Sequence, residues 1–356
     1  MNPKLTDLRR QAIAASLFRP GTLKQAIERL GFVQADPIRS PARAQDLILR
    51  HRVKDYRAGD IDRQYHRLQL EEDRLYAYGY MPQSTWRLLH PRAGRKLSAG
   101  ERRVLDIAVA QQRIHPRDLE AHFGRKVERN AWGGQSKATT RTLERLHYHG
   151  YLRVAGRESG IRVYEPCSQD HEPLELADRL RQLVLLVASI LGPLPDTSLR
   201  TTLSYLAYGV PALRGRRSVV PALIESGELT SAFVDDVRYV WPSARAIRAR
   251  PNETVRFLAP FDPLVWDRRR FEQFWGWPYR FEAYVPPAKR QLGYYALPML
   301  WRDDVIGWVN ISYPGGTLLV EAGFKKAKPA DAAFATEFDA EVAAFQAFLQ
   351  PRKEGL

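Results

Sequence analysis

Cysteine is almost missing from this chain: Cys167 is the single one among 356 residues. One thiol excludes a disulfide framework and a cysteine-based zinc site. It has no partner histidine in a recognisable pattern, so it is expected to be inert. So little cysteine fits a reducing cytoplasm. Histidine is sparse as well, at eight. His147 and His149 stand two apart on an expected helix and do not face each other. His115 and His122 have no neighbours of ligand type, so no metal site is expected. Long apolar runs are lacking, and the longest, residues 183–191, is too short to span a bilayer. The first residues, Met1-Asn2-Pro3-Lys4-Leu5, contain no apolar core of a secretion signal. Neither a P-loop nor a dinucleotide-binding glycine pattern is present. The expectation is a cytoplasmic protein with no cofactor, no metal and no membrane partner.

Acidic residues are the remaining shortfall. Lys and Arg number 55 against 40 Asp and Glu, a formal charge of +15. A basic excess of that size favours a polyanionic partner. Eight Trp and sixteen Tyr suit base stacking, and equally suit ordinary cores. The apolar fraction of 44% is that of a folded protein, and the length exceeds one ordinary core.

What is present falls into modules. Residues 5–18 and 23–30 have helical periodicity, separated by Gly21 and capped by Thr22. Asp36-Pro37 and Ser40-Pro41 each read as a cap followed by a first-turn proline, so a helix is expected from there to about residues 51–54. Residues 60–97 are expected to form an irregular connector with some helix. Residues 100–166 are clearest. Helices are expected at 101–113 and 116–123, a turn at Trp132-Gly133-Gly134-Gln135, and a third helix at 137–148 stopped by Gly150. Period-two runs at 151–154 and 161–164 then flank a glycine-bearing tip, a β-hairpin. That order is a winged helix-turn-helix, in which the third helix is the usual reader. Residues 176–241 repeat it more weakly, and with the N-terminal unit make three helical modules. After Arg250-Pro251-Asn252, short β-type runs divided by turns predict a small barrel or half-barrel, followed by a helix at 329–349. The expected fold class is α+β. The expected domains are residues 1–97, 98–170, 171–250 and 251–356.

Residues 34–36, Gln-Ala-Asp, are a polar pair where Phe32 and Val33 should be entering a core. Such local conflicts are either satisfied or functional. In an extended segment Gln34 and Asp36 share one face, with Ala35 turned away. In one account Asp36 caps a helix begun by Pro37 and Gln34 is a surface strand residue. In the other, the carboxylate stabilises a developing oxocarbenium ion and deprotonates water, while the carboxamide holds that water or the leaving base. That chemistry suits N-glycosidic bond hydrolysis. A base with a formal positive charge, such as an N7-alkylguanine, leaves without an acid, so one carboxylate suffices.

The helix at 137–148 and its wing carry Lys137, Arg141, Arg145, Arg153, Arg157 and Arg162, expected to be exposed and to contact nucleic acid unless the unit serves packing alone. Arginine clusters recur in every module, among them Arg39, Arg43, Arg50 and Arg52, then Arg214, Arg216 and Arg217, then Arg268, Arg269 and Arg270. Their recurrence points to a phosphate track. Lys289 and Arg290 follow Pro286-Pro287 at an expected hairpin tip, suited to entering a groove. The residues assigned to DNA binding are Arg43, Lys137, Arg141, Arg145, Arg157, Lys289 and Arg290.

Three stretches carry a family resemblance. They are Leu30-Gly31-Phe32-Val33-Gln34-Ala35-Asp36-Pro37 followed by Ala42-Arg43-Ala44, then Ala259-Pro260-Phe261-Asp262-Pro263-Leu264-Val265-Trp266-Asp267-Arg268-Arg269, and Tyr284-Val285-Pro286-Pro287-Ala288-Lys289-Arg290-Gln291-Leu292-Gly293-Tyr294-Tyr295. Over nearly its whole length the chain resembles the winged-helix DNA glycosylases of the AlkZ/AlkX (YcaQ) type. The resemblance implies three tandem winged helices and a small C-terminal β-barrel in a C-shape around a basic channel. It implies Gln34 and Asp36 as the catalytic pair, in the Gln-apolar-Asp version of the motif. It implies a monofunctional enzyme that excises N7-alkylated purines from double-stranded DNA in alkylation repair, some relatives also unhooking interstrand crosslinks. A barrel hairpin of the family touches DNA, and Lys289 and Arg290 fall in that stretch. The chain departs from the family pattern at Gln45, where a histidine is usual, and at Tyr76-Ala77-Tyr78-Gly79-Tyr80, where an aromatic-Trp-Ala-His-Glu run is usual.

Two functions are therefore carried forward. One is a monofunctional DNA glycosylase, monomeric and nucleoid-associated when bound, using Asp36 and Gln34. The other is a non-catalytic winged-helix DNA-binding regulator.

Overall fold

The computed structural model describes residues 3–92, 96–124, 127–129, 135–167, 174–214, 218–244 and 253–352. The expected turn around Trp132-Gly133-Gly134, Arg216, Arg217 and the composition break at Arg250-Pro251-Asn252 lie outside these residues. The chain is a mixed α+β protein with several small sheets. No helix among the described residues is long and apolar enough to cross a membrane.

The N-terminal part runs α1 (Leu5–Ser16), α2 (Leu23–Leu30), β1 (Val33–Gln34), α3 (Ala44–Leu49), α4 (Asp60–Leu68), β2 (Leu70–Arg74), β3 (Tyr78–Pro82) and α5 (Gln83–Leu89). A capping box opens α2, with Thr22 Oγ1 accepting from Gln25 N at 3.2 Å and Thr22 N donating to Gln25 Oε1 at 3.0 Å. Gly31, at φ +71°, ends the helix in the left-handed conformation and turns the chain straight into β1. The three strands form an antiparallel sheet in the order β1–β3–β2, with Gln34 opposite Gly79. A Cβ at position 79 would lie 2.3 Å from the Val33 carbonyl oxygen, so only glycine lets β3 approach β1 this closely.

Two expectations are corrected here. Residues 60–97 are not an irregular connector, since they supply two helices and two of the three strands. The reason lies in β2, whose Glu71, Glu72 and Asp73 are all buried. Acidic runs seldom read as strand, and this one is buried because arginines and a histidine from other segments meet it: Arg153 at 3.0 Å from Glu71, Arg157 at 2.6 Å from Glu72, and Arg92 at 2.9 Å and His90 at 2.6 Å from Asp73. Nor does a helix begin at Pro37 or Pro41. Helix α3 begins at Ala44, with Arg43 as its N-cap. Asp36 Oδ1 accepts the N–H of Ile38 at 2.9 Å and closes a tight turn in place of a helix start.

The second part holds α6 (Ala99–Gln111), α7 (Glu120–Phe123), the hairpin β4 (Val127–Arg129) and β5 (Gln135–Lys137), α8 (Ala138–Tyr148), and the hairpin β6 (Leu152–Glu158) and β7 (Ile161–Pro166). Ser98 and Glu101 form a capping box at the start of α6. Ile114 bridges Tyr164, a short counterpart of β1. The third part repeats the order with α9 (Leu176–Leu191), β8 (Leu194–Pro195), α10 (Asp196–Leu206), α11 (Val219–Glu225), β9 (Leu229–Val234) and β10 (Val237–Pro242), its sheet ordered β8–β10–β9.

The C-terminal part is β11 (Val255–Phe257), α12 (Pro263–Trp266), α13 (Arg268–Trp275), β12 (Leu297–Trp301), β13 (Asp304–Ser312), β14 (Leu319–Phe324) and α14 (Ala332–Leu349). Its strands make an open four-stranded antiparallel sheet, β11–β12–β13–β14, and no closed barrel forms among the described residues. The stretch 279–285, expected as a strand, is irregular. There the Glu282 carboxylate accepts the N–H groups of Gln291, Leu292 and Gly293, so the segment folds back on itself and does not pair with a neighbour.

The parts share cores. One apolar cluster joins Ile27, Val33 and Leu47 to Leu143, Val154 and Tyr164, and also to Phe257, Tyr295 and Phe345. Phe32 turns the other way, into a cluster with Trp86, Val184 and Val240. Residues 32–34 are thereby fixed from both sides, and the turn at Asp36 leaves a rigid support.

Candidate active site

The chain leaves the sheet at Gln34. Ala35 N still donates to Tyr78 O at 2.9 Å, and Asp36 N donates to Gln45 Oε1 at 3.2 Å. Buried Gln45 on α3 thus holds the Asp36 backbone. Asp36 Oδ1 accepts from Ile38 N, and the second carboxylate oxygen has no partner among the described residues. Asp36 and Ala35 line a cavity of about 420 Å³. Its other walls come from the loop before α3 (Arg39, Arg43), from β3 (Tyr78), from α8 (Glu144) and from the β6–β7 wing (Arg157, Arg162). Gln34 does not line it. Strict alternation was expected to place Gln34 and Asp36 on one face with Ala35 turned away. Strand geometry ends at Gln34, so Ala35 joins Asp36 at the cavity. Gln34 Oε1 is buried and has no partner among the described residues.

Burial raises the Asp36 pKa, and the Ile38 N–H opposes that shift only in part. No described arginine pairs with it, although four line the same cavity. Arg43 is held by Asp46 and Asp62. Arg157 makes a bidentate pair with fully buried Glu72, and also donates to Tyr80 Oη at 3.0 Å. Arg162 stands 3.8 Å from both Glu72 and Glu144, with its guanidinium 4.3 Å from the Tyr78 ring centroid. Arg39 is exposed and has no partner among the described residues. The cavity is therefore basic at its rim and nearly neutral in its walls, and Asp36 brings to it a carboxylate oxygen with no partner among the described residues. A small volume, a desolvated carboxylate and clustered donors are what a nucleotide-sized substrate with a developing positive charge requires.

The remaining residues assigned from sequence are scattered. Lys137 pairs with Glu120 at the start of α8. Arg141 is half-buried on α8, and Arg145 donates to Glu101 at 3.1 Å. Lys289 is exposed. Arg290 donates to Val285 O at 2.8 Å, with its guanidinium 5.0 Å from the Tyr294 ring centroid. Of the seven assigned DNA contacts, only Arg43 and Arg157 reach the cavity of Asp36. Sequence reasoning missed Glu144 as a cavity residue. The positions of Gln45 and Tyr78 were marked as departures from the family pattern. Glu144 carried no signal, being one acidic residue on a basic helix. Cys167 is partly buried, and burial pushes its thiol up to about 11, so it stays protonated at neutral pH.

No solved structure matches the chain significantly. The model of a family described as "DNA glycosylase AlkZ-like" matches residues 27–348. That span includes β1, the Asp36 turn, the cavity walls and α14. The chain belongs to the AlkZ-like DNA glycosylase family, whose members act on DNA in repair.

Proposed function

We propose that this protein is a monofunctional glycosylase that hydrolyses the N-glycosidic bond of N7-alkylated purines in duplex DNA, with Asp36 as the catalytic carboxylate and Gln34 as its partner. One observation carries the reading: Asp36 closes its turn with one oxygen and keeps the other open beside a nucleotide-sized cavity. N7-alkylation places a positive charge on the purine, so the base departs without protonation. The barrier lies in the cationic sugar and in delivering water to it. An anionic Asp36 lowers both contributions, by stabilising the oxocarbenium ion and by taking a proton from water.

Monofunctional hydrolysis is supported by the cations of the cavity, all of which are arginines. A lyase step needs an amine that forms a Schiff base, and a guanidinium does not. Glu144, on the far wall, is suited to hold a water or an exocyclic amine of the base. Each of the first three parts has a helix, a short strand or bridge, two further helices and a hairpin. We read them as tandem winged-helix modules, with Arg39, Arg141 and Lys289 as phosphate contacts around the site. Crosslink unhooking belongs to the same proposal, because a crosslink through N7 carries the same cationic leaving group.

The test is release of N7-methylguanine from duplex DNA by the native protein, Asp36→Asn and Gln34→Ala, with the product strand inspected before and after alkali. Release by the native protein alone, with strand breaks only after alkali, is the expected result. Equal release by all three sinks the site. DNA binding with no release of any alkylated base would favour the regulator.

A further inference from the structure

Among the described residues that line the Asp36 cavity only two are acidic, Asp36 itself and Glu144. They come from separate parts of the chain. Glu144 lies in α8, and Thr140, one helical turn before it, lines the same cavity. The stripe of Lys137, Arg141 and Arg145 on the same stretch does not line it. The helix therefore turns Thr140 and Glu144 toward the cavity, and its basic stripe elsewhere. The Glu144 side chain is 51% exposed. Arg162 stands 3.8 Å from it, beyond hydrogen-bond distance, with its guanidinium over the Tyr78 ring. Both carboxylate oxygens of Glu144 are thus without a hydrogen bond among the described residues. Glu72, on the other side of Arg162, shows the contrast. It is fully buried, and Arg157 donates to both of its oxygens.

A sugar held at Asp36 directs its base into the rest of the cavity. An extruded base is recognised chiefly through its Watson–Crick edge. In a purine that edge lies on the ring remote from C1′. Guanine offers two adjacent donors there, N1–H and the N2 amine. Adenine offers one donor, the N6 amine, beside an acceptor, N1. A carboxylate has two acceptors and no donor. It pairs with guanine through both oxygens, and it meets the N1 lone pair of adenine with repulsion. Alkylation at N7 strengthens the match, since the positive charge makes N1–H a better donor. Resting on the reaction proposed above, we propose that Glu144 reads the damaged base and selects N7-alkylated guanine over alkylated adenine. As the C1′–N9 bond breaks, its electron pair stays on N9 and the positive charge passes from base to sugar. Glu144 holds the charged base at least as well as the departing one. Its contribution is therefore to binding and selection, and not to the rate of cleavage.

Duplex DNA treated with dimethyl sulfate carries both N7-methylguanine and N3-methyladenine, two cationic bases that differ at the Watson–Crick edge. Release of each is followed for the native protein, Glu144→Gln and Glu144→Ala, together with thermal midpoints. The carboxamide of Glu144→Gln keeps the shape but offers one acceptor and one donor, the complement of adenine. Relative to native, Glu144→Gln is expected to lower the guanine-to-adenine ratio of kcat/KM roughly tenfold or more, and Glu144→Ala to lower it less. For N7-methylguanine, KM should rise in both variants with kcat no lower. Midpoints should stay near native, since the Glu144 side chain is half-exposed and its ion pair is long. Glu158→Gln removes an exposed charge from the same wing outside the cavity, and should leave the ratio alone. A native ratio in both Glu144 variants overturns the proposal, as does a loss confined to kcat. Affinity separates this proposal from the reaction itself. The ligand is a duplex carrying N7-methyl-2′-fluoro-2′-deoxyguanosine, whose fluorine strengthens the glycosidic bond, compared with its unmethylated counterpart. If the native protein releases neither base, the proposed reaction falls. The role of Glu144 then stands if Glu144→Gln loses the preference for the methylated duplex, and falls if that preference is kept.

Discussion

Asp262 has no exposed surface. Its Oδ2 accepts from Arg52 Nη1 at 2.8 Å, and its Oδ1 accepts from Arg52 Nη2 at 3.1 Å and from Leu264 N at 3.0 Å. Arg52 is equally buried and also donates to Ser16 O, Ser16 Oγ and Ile48 O. Asp36 likewise sits among arginines, but it is half-buried, holds one N–H of its own turn and pairs with no described cation. The first aspartate joins the N-terminal part to the C-terminal part, and both of its oxygens accept hydrogen bonds. The second is desolvated and left incomplete. Saturation marks a carboxylate that supports the fold, while an open oxygen under desolvation marks one available for chemistry.

Breaking the saturated side should give the largest effect. Arg52→Leu leaves Asp262 buried and unpaired, and should lower stability by about 3–5 kcal/mol, read from urea unfolding. A smaller loss would mean that water reaches Asp262. Asp36→Asn should do the reverse. Release of N7-methylguanine should fall by roughly a hundredfold or more, with stability at pH 7 unchanged or higher.

That second expectation follows from linkage. Burial raises the Asp36 pKa above its unfolded value, so the folded state binds the proton more tightly. Stability is therefore given up as pH rises from the unfolded value through the folded one, and the asparagine avoids that loss. Under the proposed mechanism activity has the opposite sign, because there the anion stabilises the sugar cation and takes the water proton. The rate should fall as pH drops through the raised value, giving an acid limb above the ordinary aspartate value. Asp73 provides the mirror image. Burial opposes its charge, but the His90 hydrogen bond and the charges of Arg92, His147 and His90 outweigh burial and bring it to about 2. Its contribution should be complete above pH about 4 and lost as pH falls toward 2. Asp73→Asn should flatten that part of a urea-midpoint profile, and Asp36→Asn should not.

The smallest effect should separate two kinds of arginine and lysine. Lys289→Ala should weaken DNA binding a few-fold at any sequence and reduce the slope of log affinity against log salt by about 1. Arg157→Gln should lower the urea midpoint by removing the partner of buried Glu72, with little change in that slope. Equal slopes for both variants would erase the distinction between charges used inside and charges offered outside.

Much of this was legible where the information is local. The helix read at residues 101–113 is α6, and the runs at 151–154 and 161–164 fall in β6 and β7. Helical periodicity, cap residues and alternating strands are set by near neighbours. The polar pair at Gln34 and Asp36 stood out for the same reason, as two residues at odds with the apolar run before them. The acidic strand β2 was not legible, because its stability comes from Arg92, Arg153 and Arg157, up to 85 residues away. The turn at Asp36 was misread because a cap and a tight turn share the same dipeptide, and a side chain nine residues on, Gln45, holds the turn.

The sequence by itself determined that the chain is basic, modular and of mixed α+β type, and that Gln34 and Asp36 are its most unusual pair. Only the tertiary structure decided which charges remain available. Burial and pairing between distant parts neutralised Arg52 and Arg157 within the protein, sealed Asp262, and left Asp36 with one oxygen free among the described residues. Charge can be counted along a chain, whereas desolvation and partnership exist only once distant segments are brought into contact.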